Sequence, residues 1–135
     1  MTLVAVLLGG ILGTGMRLAL DAVVPHSDTQ FPWSTLIINV VGSFVLGLLV
    51  ARVWPSAPAW LRAGLGTGVL GSFTTFSALI VSLFTLTQAG NDMLALVYLV
   101  VSLGGGLAAA LLGLRLGARL SGRPNRPAPP LAADE

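Results

Sequence analysis

The chain has 135 residues, of which 55% are hydrophobic and only 9% are charged, and its formal net charge is +2. A soluble domain carries about 25% charged residues, so this composition excludes an ordinary soluble protein and predicts a membrane protein. Cysteine is absent, which excludes disulfide frameworks, thiolate metal sites and cysteine nucleophiles.

Four apolar stretches are each long enough for the roughly 20 residues that cross a bilayer core. We predict an all-α membrane protein with a four-helix transmembrane domain over residues 1–120, whose spans lie near residues 2–23, 33–54, 60–87 and 92–117. Residues 121–135 are rich in Pro and Ala and are predicted to form a disordered tail. The first stretch lacks a basic start and is longer than the apolar part of a signal peptide, so we expect it to remain as a mature span.

The first span carries glycines at a spacing typical of close helix packing, and one charged residue, Arg17, near its far end. An arginine in this place commonly extends its side chain toward the membrane interface. The alternative is that it helps to hold an anion at a vestibule. We expect Arg17 to have a supporting structural or electrostatic role.

The second span places Thr35, Asn39, Ser43 and Gly47 four residues apart, on one slowly drifting helix face. Small and hydroxyl residues at this spacing are also typical of a packing seam, and that alternative stays open for Ser43 and Gly47. A carboxamide at mid-membrane depth has two donor hydrogens and an acceptor to satisfy. Asn39 is therefore predicted to face a polar pathway.

The third span contains a polar segment, Gly68–Ser77, in which two glycines and four hydroxyls occupy a place that should be purely apolar. Irregular backbone at membrane depth persists only where it is buried in protein or lines a cavity. The segment predicts a helix that is broken mid-membrane beside an ion site. In the fourth span, Tyr98 and Ser102 place two hydroxyls on one helix face.

The positive charges are all arginines and are distributed unequally. Because the chain has four spans, both termini and the middle loop share a side, and that side collects Arg52, Arg62, Arg115, Arg119, Arg123 and Arg126. The opposite loops hold Asp21, Asp28 and Asp92. The positive-inside rule predicts a multi-pass cell-membrane protein with both termini in the cytoplasm. We expect these arginines to meet anionic lipid head groups rather than nucleic acid.

Enzymatic chemistry finds little support in these residues. No carboxylate lies deep in a span, no Ser/His/Asp set converges, and the glycine runs match no nucleotide-binding loop. A proton-coupled exporter of the small multidrug type needs a titratable acid in the membrane, whereas Asp21 lies at the end of its span. A passive pathway lined by hydrogen-bond donors is favoured, with the exporter and a non-conducting scaffold subunit as alternatives.

Four motifs together resemble the Fluc (CrcB) family of fluoride channels. They are Gly13-Thr-Gly-Met-Arg17, Trp33-Ser-Thr-Leu-Ile-Ile-Asn39 with Gly42-Ser-Phe44, the segment Gly68–Ser77, and Tyr98-xxx-Ser102. The resemblance covers roughly residues 2–117. It implies a channel that exports fluoride passively from the cytoplasm and so relieves fluoride toxicity. It also implies an antiparallel dimer with two pores, each lined by both subunits, and a structural sodium ion (Na⁺) at the dimer centre.

The resemblance also implies roles for individual residues. Fluoride-pore roles are implied for Asn39, Phe76, Thr35, Ser43, Ser77, Tyr98 and Ser102. Asn39 would coordinate the ion, and Phe76 would be one of the pore phenylalanines. Gly71 and Thr74 correspond to positions whose backbone carbonyls hold the sodium ion.

Three positions depart from the family pattern. Where that pattern continues Phe-Ser-Thr-Phe-Ser-x-Glu, this chain has Ala78 for a threonine, Leu79 for the second pore phenylalanine and Ser82 for a vestibule glutamate. An antiparallel homodimer needs a subunit that inserts both ways, whereas the arginine distribution predicts one orientation. We therefore predict a heterodimer with an oppositely oriented paralogous subunit that supplies the missing phenylalanine, with a homodimer as the alternative.

Overall fold

The computed structural model describes residues 1–24 and 30–122. Its helices are α1 Thr2–Val23, α2 Trp33–Arg52, α3 Ala59–Arg62, a π-helix Ala63–Leu70, α4 Gly71–Phe73, α5 Phe76–Gln88 and α6 Asp92–Leu120. Within the described ranges, four helical stretches are long and apolar enough to cross a membrane, and α3 to α5 together make the third. The predicted all-α class with four membrane helices is confirmed.

The helix ends follow from local chemistry. Gly90 follows α5 with φ 74°, and Gly122 follows α6 with φ 61°, a left-handed conformation that favours glycine just after a helix. α6 ends at Leu120, shortly before Gly122 and three residues beyond its predicted end. The predicted disordered tail falls, from residue 123 onward, outside the described residues, as do Asp28, Arg123 and Arg126.

The bundle contains two helix pairs whose backbones touch: α1 with the π-helix, and α2 with α6. A Cβ added at Gly9 or Gly13 would overlap backbone atoms of the third span. This confirms the close-packing interpretation for Gly9 and Gly13, whereas Gly15 has no atom within 4 Å of an added Cβ. In α6 the tight positions are Gly113 and Gly117, whereas Gly104 has no atom within 4 Å of an added Cβ.

Substituting Gly113 by alanine is expected to destabilise the folded chain by about 1–3 kcal/mol, because the new methyl would overlap the Phe44 carbonyl and force α2 and α6 apart. Gly104→Ala is the matched control on the same helix. There the methyl enters open space, so the free energy of unfolding should stay the same or rise by up to about 1 kcal/mol. Denaturant titration of both variants in detergent micelles measures this difference. Equal stabilities would contradict the packing assigned to Gly113.

The third span changes its helical form twice. After the single turn of α3 it becomes a π-helix over Ala63–Leu70, a wider form that is rare and frequently found at functional sites. α4 then ends at Phe73, and the backbone is extended at Thr74 (ψ 144°) and Thr75 (ψ 129°) before α5 begins at Phe76. This interruption falls inside the polar segment Gly68–Ser77, which is consistent with the predicted break.

The interior of the described bundle is small. Its buried cluster consists of Leu36, Leu79, Leu86, Ala95 and Tyr98. Many other large apolar side chains face outward along the whole length of the helices. An apolar exterior of this kind suits contact with lipid or with another membrane subunit.

Candidate functional site

The helix break is held by the side chain of Asn39, which reaches it from α2. The Asn39 Oδ1 atom accepts a hydrogen bond from the Thr75 backbone N–H at 2.9 Å, and Asn39 Nδ2 donates to the Thr75 carbonyl oxygen at 3.2 Å. Because a backbone N–H can only donate, this pair of contacts determines which way the carboxamide faces. Asn39 therefore satisfies both backbone groups of a residue that has left the helix.

Each amide nitrogen of this type carries two hydrogens, and the contact with Thr75 uses one of them. Asn39 also lines a cleft of about 420 Å³ beside the break, which we call the Asn39 cleft. Its polar lining consists of Asn39, Ser43, Thr74, Thr75 and Ser102, and its apolar lining comes from Phe76 and from α5 and α6. The cleft therefore offers hydrogen-bond donors within apolar walls.

A second cleft, of about 370 Å³, lies on the other side of the break and is called here the Arg17 cleft. It is lined by Arg17, the hydroxyl residues Ser72, Thr75 and Ser77, and two apolar residues of α5. The Arg17 Nε atom lies 3.8 Å from an Asp21 carboxylate oxygen, while one terminal guanidinium nitrogen is buried and has no partner among the described residues. Part of the arginine's donor capacity thus remains for an anion.

Thr75 connects the two clefts because it lines both of them. Its hydroxyl also forms a 2.7 Å hydrogen bond with the Ser77 hydroxyl and accepts one from the Ala78 N–H at 3.4 Å, which caps the start of α5. The break is therefore a junction between an arginine-containing cleft and a cleft lined by an amide and hydroxyls.

A group of buried hydroxyls lies behind the Asn39 cleft. Tyr98 is fully buried, and Thr35 and Ser102 are almost so. The hydroxyls of Ser82, Ser102 and Thr35 lie near the Tyr98 hydroxyl. In the part of the chain that the structure describes, the Tyr98 and Ser102 hydroxyls have no hydrogen-bond partner. Buried polar groups almost always have a partner, so these neighbouring hydroxyls can pair with one another or with a ligand.

The predicted pore residues thus gather around the break in three places. Asn39, Ser43, Phe76 and Ser102 line the Asn39 cleft, Ser77 and Arg17 line the Arg17 cleft, and Thr35 and Tyr98 lie with the buried hydroxyls. The prediction from sequence assigned no role to Thr75, and it named Ser82 only as a departure from the family pattern. The signal that could have identified Thr75 is its position before Phe76, because a hydroxyl residue typically caps a new helix there.

The two predicted sodium positions lie at the break itself. In a continuous helix the Thr75 N–H would donate to the Gly71 carbonyl, but here it donates to Asn39. Thr74 lies between the two helices, and its own hydroxyl donates to the Leu70 carbonyl at 2.7 Å. The Gly71 and Thr74 carbonyls therefore lack their regular helical hydrogen bonds. Carbonyl oxygens are the ligands that interrupted membrane helices offer to Na⁺.

One side of the site is open at the surface of the subunit. Phe76 lines the Asn39 cleft and is nevertheless 67% exposed. Leu79, at the position of the missing phenylalanine, is only 3% exposed and packs into the interior cluster. The exposed aromatic ring beside a polar cleft indicates a surface that another subunit could cover.

Comparison with known proteins assigns this architecture to a family. The family described as "CrcB-like protein, Camphor Resistance (CrcB)" matches residues 4–114. The "Fluoride-specific ion channel FluC" of Deinococcus radiodurans is 46% identical over 119 residues, covering 84% of this chain and 92% of the relative. A protein of the same name from Thermus thermophilus is 45% identical over 87% of this chain and 95% of its own length. "Fluoride-specific ion channel FluC 2" of Halalkalibacterium halodurans is 38% identical over 92% of this chain and 91% of its own length. The chain is a multi-pass membrane protein that belongs to the CrcB family.

Proposed function

We propose that this chain is a subunit of a fluoride-selective channel through which fluoride leaves the cytoplasm passively. The observation that carries the proposal is the break at Thr74–Thr75, where Asn39 holds open a polar junction between two clefts. The names of the relatives, fluoride-specific ion channels, support it. A channel of this kind is not an enzyme and needs no catalytic group.

The chemistry of the clefts suits a small, hard, strongly hydrated anion. Such an ion enters a pore only if protein donors replace its water, and it leaves only if no single contact is too strong. Asn39, Ser43 and Ser102 are neutral donors, so they can replace water without trapping the ion. Arg17 lies in the other cleft, where its unpaired nitrogen can draw anions toward the break.

Phe76 gives the Asn39 cleft a further contact that attracts weakly. The edge of an aromatic ring is positive, so a ring that presents its edge attracts an anion without forming a hydrogen bond. Thr35, Ser77 and Tyr98 would continue the path as further hydroxyl donors. The path would thus combine many weak contacts instead of one strong site.

The functional unit is proposed to be an antiparallel dimer. The Asn39 cleft is open at the subunit surface, and Phe76 projects there without a covering element in the described residues. Leu79 provides no second aromatic ring, so an oppositely oriented paralogous subunit would have to supply it. The numbered name of one relative, FluC 2, supports the existence of paralogues in the family.

The orientation proposed for this chain has both termini in the cytoplasm. The described arginines other than Arg17 lie at the bundle end that holds the start of α1 and the end of α6, and the described acids, Asp21 and Asp92, lie at the opposite end. Short cytoplasmic segments of membrane proteins carry such an excess of arginine. The same bias supports a heterodimer, because it favours only one orientation.

Sodium would be held by the Gly71 and Thr74 carbonyls at the dimer centre. The carbonyl oxygens suit Na⁺, because Thr74 lies in extended backbone, the Gly71 carbonyl precedes the break without its regular bond from the Thr75 N–H, and Gly71 is exposed at the subunit surface. When bound, the ion would neutralise carbonyl dipoles that meet across the interface. Asn39 would assist by keeping the Thr75 N–H away from the Gly71 carbonyl.

Growth of fluoride-sensitive bacterial cells tests the proposal. Cells that carry this chain together with its paralogue should grow on fluoride concentrations that stop cells with an empty vector, and cells with either subunit alone should not. Rescue by this chain alone would contradict the heterodimer. Rescue that disappears when the proton gradient is collapsed would indicate a proton-coupled exporter, and an absence of rescue by the pair would leave the scaffold interpretation.

A further inference from the structure

A third groove, of about 570 Å³, lies at the arginine-rich end of the bundle, away from the break. We call it the Trp54 groove, and it is lined by Leu46, Trp54, Ala59, Arg62, Gly66 and Thr67. It runs between the end of α2 and the start of the third span. Nothing in the proposed fluoride pathway uses these residues.

The polar side chains of the groove are Trp54 and Arg62, which can only donate hydrogen bonds, and Thr67, which carries a hydroxyl. The Trp54 indole Nε1 atom is buried and has no hydrogen-bond partner among residues 1–24 and 30–122. Arg62 lies in the same lining, is exposed, and forms no ion pair within that part of the chain. An indole N–H can only donate, and a guanidinium carries only donors and a positive charge. Their natural ligand is an anion with several acceptor oxygens.

The remainder of the groove is apolar and extends into the membrane. Leu46 lies six residues before the end of α2 at Arg52, about 9 Å deeper along the helix axis. Gly66 leaves room for the Trp54 ring, since a Cβ there would come within 3.0 Å of the ring carbon Cζ2. The groove therefore has a cationic, donor-rich head at the end of the bundle and an apolar continuation at the depth of lipid chains.

We propose that the Trp54 groove binds an anionic phospholipid, whose phosphate accepts hydrogen bonds from Trp54 Nε1 and Arg62 and whose acyl chain lies along Leu46 and Gly66. The charge pattern supports a lipid over a protein helix. The described acids, Asp21 and Asp92, lie at the opposite end of the bundle, so among the described residues the charged side chains at the groove's end are arginines, which attract anionic lipid. This inference does not depend on fluoride conduction.

Native mass spectrometry of the purified full chain tests the site during titration with phosphatidylglycerol or phosphatidylcholine. Trp54→Phe keeps an aromatic ring, although a smaller one, and removes the N–H, and Arg62→Gln removes the charge of an exposed residue. Trp60→Phe and Arg119→Gln are matched controls, since both residues lie at the same end of the bundle and outside the groove.

Phosphatidylglycerol is expected to bind in preference to phosphatidylcholine. The affinity for phosphatidylglycerol should fall about tenfold in Trp54→Phe and about fivefold in Arg62→Gln, and it should be retained in both controls. Equal binding of the two lipids, or equal behaviour of groove variants and controls, would overturn the proposal. Displacement by inorganic phosphate would show a soluble anion site instead. Lipid carried by monomers but excluded from dimers would show that the groove is a subunit contact.

Discussion

Replacing Asn39 by alanine is expected to reduce fluoride flux through the assembled channel by about a hundredfold or more. The substitution removes two hydrogen bonds to the Thr75 backbone and leaves its part-buried N–H and carbonyl without partners. That loss costs about 3 kcal/mol, which corresponds to about a hundredfold in the population of the open junction. Initial fluoride efflux rates from liposomes, with a fluoride-selective electrode, measure the effect.

The matched control for this prediction is Asn91→Ala. Asn91 precedes α6, makes no capping hydrogen bond with its side chain, and lines neither cleft beside the break. Its substitution should leave the flux within about twofold of the unmodified chain. If Asn39→Ala conducts as well as Asn91→Ala, the clamp on Thr75 does not maintain the pathway.

A second large effect is expected from Phe76→Ala, which should lower the fluoride flux about tenfold while changing the stability of the isolated subunit little. The ring is 67% exposed in the subunit, so its removal takes away little interior packing. The ring, however, lines the Asn39 cleft, and an aromatic contact is worth up to about 1.5 kcal/mol, or roughly tenfold in rate for the ion that crosses it.

Phe84→Ala is the control for this substitution, because Phe84 belongs to the same helix, is 61% exposed and lines neither cleft beside the break. Flux should be retained in this variant, and thermal unfolding of both variants in detergent should occur at nearly the same temperature. A parallel loss of flux in both variants would assign Phe76 to general packing between subunits instead of the ion path.

Much of the fold could be predicted from the sequence, because membrane spans are encoded by the length of apolar stretches. α1 begins and ends where its apolar stretch does, and the helix interruption falls inside the polar segment Gly68–Ser77. The π-helix of the third span could not be predicted. Its sequence is as apolar as a regular helix, and the wider form arises where Gly64 and Gly68 pack against the backbone of α1.

The candidate site could likewise be predicted only in part from the sequence. Periodicity placed Thr35, Asn39 and Ser43 on one face, and the structure brings Asn39 and Ser43 to one cleft. Periodicity does not give the partner of a side chain 36 residues away, so the bidentate contact of Asn39 with Thr75 was not foreseen. The roles of Phe76, Gly71 and Thr74 came from the family resemblance, since an exposed phenylalanine or a backbone carbonyl carries no signal of its own in a sequence.

We expect this chain to form a passive fluoride pathway together with an oppositely oriented subunit. Fluoride efflux from liposomes that contain the chain with and without its paralogue tests it most directly, with chloride efflux recorded in parallel. We expect rapid fluoride efflux, without chloride efflux and without a proton gradient, only when both subunits are present. Fluoride efflux from liposomes with this chain alone, or an absence of fluoride efflux with both subunits, would contradict a pathway that needs two different subunits.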